Sequence, residues 1–147
     1  MKAKILFVLM LLTVITVGVS AQSIEGTWQL KESRGNPLRE GYTQMKLITD
    51  NHFVWFVSDK DGNIITGAGG TISIEGDQYE ETILYTLPGM SAWTGKKATY
   101  KYKFEKGLLL ITGSLVSKTM KIDNSEVWEK INTVETKHFI KTVVNDN

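Results

Sequence analysis

The chain has 147 residues, 17 basic and 16 acidic side chains, a formal charge of +1 and no cysteine. Scattered, nearly balanced charge gives no basic footprint for nucleic acid, which is not an expected partner. Without cysteine there are no disulfides and no thiolate chemistry, so stability must come from packing and backbone pairing.

The first residues read as an export signal. Lys2 and Lys4 form a basic head, and Ile5 to Val17 is an apolar run broken only by Thr13 and Thr16. "VGVSAQS" follows, with Val19 and Ala21 as small residues before a cut after Ala21. This is the pattern of a secretory signal peptide, and the run is shorter than the ~20 residues that span a bilayer. Residues 1–21 are therefore expected to be removed, leaving no transmembrane span and a secreted or periplasmic protein. Loss of the two lysines takes the formal charge from +1 to −1. The remaining length is that of one domain, able to bury roughly two-thirds of its unfolded surface.

From Gln22 to Ile131 the sequence is a succession of short runs rich in Thr, Val, Ile, Tyr, Phe and Trp. In order they are "IEGTWQLKES", "YTQMKLIT", "HFVWFVS", "GGTISIE", "YEETILYTL", "KATYKYKFE", "LLLITGSL", "KTMKI" and "EVWEKI". Turn residues punctuate them: Asp50-Asn51, Asp61-Gly62-Asn63, Gly76-Asp77, Pro88-Gly89 and Lys106-Gly107. Such pairs supply tight hairpins, and connections this short join antiparallel neighbours. A meander of eight to ten strands leaves two edges, which an up-and-down barrel removes by closing. A two-layer sandwich is the alternative; the hairpin-after-hairpin order, with no long return connection, favours the barrel. The longer connections, Ser33 to Gly41 and Pro88 to Lys96, are expected to flank a barrel mouth. Residues 22–131 form the barrel, and residues 132–147 a tail that is a last strand, a short helix or a frayed end.

Side-chain parity then proposes an interior. Along "QYEETILYT", Tyr79, Glu81, Ile83 and Tyr85 share a face; along "ATYKYKF", Ala98, Tyr100, Tyr102 and Phe104 do. Turned inward, these place four tyrosines around one carboxylate. A buried carboxylate is costly unless paired or neutralised, which makes Glu81 either the polar centre of a cavity or a structural acceptor tying strands together. In "HFVWFVS" both faces are apolar: Phe53, Trp55 and Val57 on one, Val54 and Phe56 with His52 on the other. If Trp55 faces in, His52 faces out as a turn residue; in the reverse case His52 could meet Glu81 and titrate near neutrality. The outer apolar face would then pack under a loop or the tail, or mark a partner surface.

Enzyme signatures are incomplete. "GMSAW" lacks the second Gly of a nucleophile elbow, and "GAGGT" lacks the Lys-Ser/Thr of a phosphate loop. "DKDGN" has its Gly two positions early for a calcium loop, and two histidines give no zinc set by spacing. No metal or cofactor is expected, although His138 in the tail leaves haem binding conceivable.

"GTWQL" at Gly26 to Leu30 resembles the Gly-x-Trp opening of lipocalin and other calycin barrels, in which the Trp closes one end. "KLITDNHFVWFVSDKDG", "GGTISIEGDQYEETI" and "EVWEKI" are similar to pieces of a small family of secreted bacterial lipocalin-like domains without assigned function. The resemblance spans most of the mature chain and implies an eight- to ten-stranded barrel with an internal cavity, but no mechanism. The later signature motifs of animal lipocalins are absent; Arg34 and Arg39 are the only arginines, so no last-strand Arg stacks on Trp28.

The leading expectation is a barrel that binds a small, mainly apolar or aromatic ligand, with Trp28, Trp55, Tyr79, Glu81, Tyr85, Tyr100, Tyr102 and conditionally His52 forming the pocket. Lacking an inward Arg, that pocket suits a neutral or cationic group facing Glu81. Two alternatives stay open. One is a filled barrel acting as a protein-interaction or inhibitor module through its long loops. The other is a barrel enzyme with Glu81, assisted by His52, as general base.

Overall fold

The computed structural model describes residues 22–117 and 120–131. The expected signal peptide, the tail 132–147 and His138 lie outside the described residues.

The described chain forms strands β1 (Gly26–Ser33), β2 (Asn36–Pro37), β3 (Thr43–Ile48), β4 (His52–Ser58), β5 (Ile64–Glu75), β6 (Gln78–Thr86), β7 (Lys97–Glu105), β8 (Leu108–Val116) and β9 (Lys121–Lys130), with one 3₁₀ turn at Ser91–Trp93. Each strand from β3 onward pairs antiparallel with the next, and β1 pairs with both β3 and β9. Eight strands thus close into an up-and-down barrel, which leaves no open sheet edge. The two-residue β2 only folds back on the end of β1, at Glu32–Pro37 and Ser33–Asn36. Among the described residues no helix is long and apolar enough to cross a membrane.

Three runs differ from the sequence reading. β5 begins at Ile64, so that Thr66 to Ala68 pair across to β4. "KTMKI" and "EVWEKI" are not separate strands. Asp123-Asn124-Ser125 looks like a turn, but these residues pair with Ser114, Gly113 and Thr112 and carry β9 through without a break. The ladder of the neighbouring strand overrode the local turn preference.

Antiparallel order puts alternate connections at opposite poles. The links β1–β3, β4–β5, β6–β7 and β8–β9 share one pole, with both long loops among them, as expected for a mouth. The short turns β3–β4, β5–β6 and β7–β8 share the other. That second pole is packed solid. Trp28, Phe53, Tyr79, Leu109, Ile111 and Trp128 are fully buried. Leu109 and Ile111 alone each contribute ~1.5–3 kcal/mol by leaving water.

The opening Gly-x-Trp has a physical reason here. The Trp28 indole N–H donates to the Ile24 carbonyl at 2.8 Å, sealing the floor with the chain's own N-terminal segment. Lys130, the last residue of β9, holds its Nζ 5.2 Å from the Trp28 ring centroid. Gly26 has φ of 140°, and a Cβ there would meet the Lys130 side chain at 2.7 Å. The positive φ is what calls for glycine, since the end of the Lys130 side chain can move aside.

Candidate functional site

Above the packed floor the barrel keeps a cavity of about 320 Å³ at the mouth end. Its wall includes Gln44 and Lys46 from β3, Trp55 and Val57 from β4, Glu81 and Ile83 from β6, Tyr100 from β7, and Asn124 and Glu126 from β9. Met90, from the long β6–β7 connection, closes over one side and accepts a hydrogen bond from the Thr66 hydroxyl at 2.8 Å. Trp93 of the same connection packs against the core. Met90 thus joins this loop to the site, while Pro88, Gly89, Ser91 and Ala92 beside it are exposed.

The centre is an ion pair. Lys46 Nζ donates to Glu81 Oε1 at 2.8 Å, and both side chains are at most 4% exposed. Parity on β6 turns Glu81 inward. On β3 it turns Gln44, Lys46 and Ile48 inward and leaves Leu47 outside at 41% exposure. The ammonium lies 5.4 to 5.9 Å from the ring centroids of Trp128, Tyr100 and Tyr79. Three aromatic faces around one desolvated cation supply part of what water would have given it.

Burial by itself would push the Lys46 pKa down. Attraction to Glu81, joined by Tyr79, Glu126 and Tyr100, outweighs that and leaves it well above the ordinary lysine value. For Glu81 burial comes first and raises the pKa, with Lys46 opposing only in part. The two shifts pull in different senses: the lysine's favours the ion pair, the carboxyl's penalises it. The 2.8 Å contact inside an aromatic cage decides for a protonated Lys46 holding an ionised Glu81.

Around the pair runs a chain of rings. Tyr100 and Tyr79 have centroids 5.1 Å apart, Tyr79 and Tyr102 6.0 Å, Tyr102 and Phe104 6.0 Å, and Phe104 and Trp28 6.1 Å. The chain leads from the cavity wall to the floor. The Tyr100 hydroxyl accepts a hydrogen bond from Asn124 at 3.4 Å, and the Tyr102 hydroxyl donates to the Gly76 carbonyl at 3.0 Å. The Tyr79 hydroxyl is buried with no partner among the described residues. Glu126 accepts the Trp128 indole N–H at 3.0 Å.

Of the eight residues expected to form the pocket, Trp55, Glu81 and Tyr100 line the cavity. Trp28, Tyr79 and Tyr102 belong to the packed floor beneath it. Tyr85 does not face the lumen: Gly69 pairs with Tyr85 but Gly70 with Ile83, so Leu84 is an extra residue that flips the parity of the strand end. Tyr85 is 50% exposed and lines a shallow apolar groove on the outer wall with Val54, Phe56, Ile64 and Leu87. His52 is likewise outside, at the closed pole, with Nδ1 2.5 Å from Asn51 Oδ1. It does not meet Glu81, so the acid–base pair imagined for an enzyme is not assembled. Nor is Glu81 free to receive a ligand's cation, because Lys46 already fills that place.

Sequence reasoning missed Lys46, Gln44, Asn124 and Glu126, because it expected apolar residues inside and polar ones outside. The signal that finds them is register. Counting back from the Asp50-Asn51 turn, Ile48 pairs with Phe53, Lys46 with Trp55 and Gln44 with Val57. An inward Trp55 therefore brings Lys46 in with it. Two-residue spacing does the same for Glu126 beside the buried Trp128.

In "DKDGN", Asp59 Oδ1 accepts the N–H of Asp61 and of Asn63, each at 2.9 Å, which ties the hairpin loop. Among the described residues no three His, Asp or Glu side chains are grouped to hold a metal.

The fold and cavity define a class: a closed, eight-stranded antiparallel barrel, floored by aromatic residues and hollow toward its loops. Residues 23–138 match the family described as "Domain of unknown function (DUF4488)", and the chain belongs to that family. No curated protein matches it.

Proposed function

We propose that this is an exported, lipocalin-like barrel that binds a small, mainly apolar or aromatic ligand in the mouth half of its lumen. The observation that carries the reading is the hollow of about 320 Å³ above a solid floor. Its size is at the small end of the ~300–1,000 Å³ usual for ligand sites, and its lining mixes apolar side chains with fixed polar groups. Trp55, Val57, Ile83, Leu115 and Met90 offer the apolar wall, and Gln44, Tyr100, Asn124 and Glu126 the polar marks. Export rests on the signal-like residues 1–21, and the lipocalin-like kinship on the Gly-x-Trp opening with its Lys130 cover.

A filled barrel acting only through its loops is less well supported, since Met90 of the long β6–β7 connection lines the hollow. A general-base role for Glu81 is opposed by its lysine partner.

The test takes the protein as cells export it, with the first residue read to check cleavage after Ala21. Native mass spectrometry against a panel of small apolar and aromatic compounds should show one-to-one adducts, with quenching of tryptophan fluorescence that shrinks in Trp55→Phe. If no compound class binds, the reading is lost.

A further inference from the structure

Three side chains that carry charge at neutral pH line the hollow: Lys46, Glu81 and Glu126. Two of them cancel, Lys46 and Glu81 meeting at 2.8 Å. Glu126 is left over. It is half-buried, one of its oxygens receives the Trp128 indole N–H at 3.0 Å, and no lysine or arginine among the described residues stands within 4.0 Å of it. Arg34, the arginine near the β9 side of the mouth, is exposed and directs its guanidinium to the Asn124 amide oxygen at 3.4 Å. Among the described residues that line it, the hollow therefore carries one more negative than positive charge, beside Trp55, Tyr100 and the amides of Gln44 and Asn124.

We infer that the ligand is a small organic cation, an amine on an aromatic or aliphatic body, whose ammonium is received by Glu126. This rests on the lumen-binding reading above. Opposite charge in a partly dehydrated hollow is attractive, and aromatic faces add to the preference for a cation. An anion would meet net negative charge and could reach Lys46 only by displacing Glu81. Gln44 lines the same hollow as a further polar group, and Val57, Ile83 and Leu115 are there to cover the carbon skeleton.

The experiment uses three probes with one skeleton: 2-phenylethylammonium, 2-phenylethanol and 3-phenylpropanoate. Calorimetric titration of the mature protein at pH 7 and low salt is expected to rank them in that order. The ammonium should bind at least about tenfold tighter than the alcohol, as a charge-assisted hydrogen bond implies. Added salt should weaken the ammonium and spare the alcohol. In Glu126→Gln, which keeps an acceptor for the Trp128 N–H, the ammonium should lose its advantage over the alcohol. If the alcohol or the acid binds as well as the ammonium, the cation assignment is overturned while lumen binding stands. If Glu126→Gln leaves the ammonium's advantage intact, the anchor is wrong. If none of the three binds and the neutral panel also fails, the lumen reading itself falls. The wild-type ranking decides the cation question even if the variant does not fold.

Discussion

At the scale of single residues, Lys46 and Glu81 are the members whose removal has the clearest sign. Neither tolerates the loss of the other, because an unpaired charge in this environment has neither water nor counter-ion. Lys46→Met is expected to cost ~3–5 kcal/mol at pH 7, read by urea denaturation. Lowering the pH should recover part of the loss as the stranded Glu81 takes up a proton. The double variant Lys46→Met, Glu81→Leu should return close to wild-type stability, since an apolar pair needs no compensation there. A double variant that loses the sum of what Lys46→Met and Glu81→Leu lose separately would mean that the pair is not coupled. The inward Glu81 was legible in the sequence from alternation alone. Its partner was not, because a lysine flanked by Met45 and Leu47 looks like the solvent face of an ordinary strand. Only pairing across the hairpin reverses that reading.

The strand ends show where alternation stops being a guide. β7 kept a strict period of two, and its inward set of Ala98, Tyr100, Tyr102 and Phe104 is as expected. β6 follows its own rule through Ile83 and then breaks it at Leu84. Nothing in "ILYTL" announces the extra residue; the trace lies on the partner strand, in the consecutive glycines Gly69 and Gly70. A Cβ on Gly70 would run into the Thr82 carbonyl and come within 2.8 Å of the Leu84 nitrogen. The bulge therefore depends on glycine opposite it, a close approach of two backbones. Gly70→Ala should destabilise the barrel by ~1–3 kcal/mol, seen as a lower denaturant midpoint with unchanged slope. A neutral result would show that the two strands have room to part. The same bulge sends Leu84 and Tyr85 outward, where Tyr85 lies over Gly69 beside Val54 and Leu87. The doubly apolar strand β4 is thereby explained: one face fills the lumen, and the other floors this outer groove.

For the molecule as a whole, protonation and fold are linked at alkaline pH. Lys46, Tyr79 and Tyr100 all hold their protons beyond the ordinary range. For Tyr100, burial first and Glu81 next push the value up to about 12. The unfolded chain releases the same protons near pH ~10. The stability tied to them is thus complete below that pH and drains away as the pH climbs through the folded values. The melting temperature is expected to hold to about pH 9 and fall steeply above about 10. Absorbance at 295 nm should show Tyr79 and Tyr100 ionising only as the barrel opens. Ionisation of both in a barrel that is still folded would contradict their burial. The barrel itself was readable from hairpin order and turn spacing, because those are local. Which half is solid and which hollow was not, because that depends on how eight strands tilt and stack their side chains at depth.

Both described ends of the chain leave from the same pole. Gln22 and Ile131 lie beneath the Trp28 plug, while the four loops that frame the hollow are all at the opposite end. A tether, label or fused domain placed before Gln22 would thus hang from the base and leave the entrance facing free solution. Immobilised by that end, the protein should sample passing solutes as readily as it does unattached.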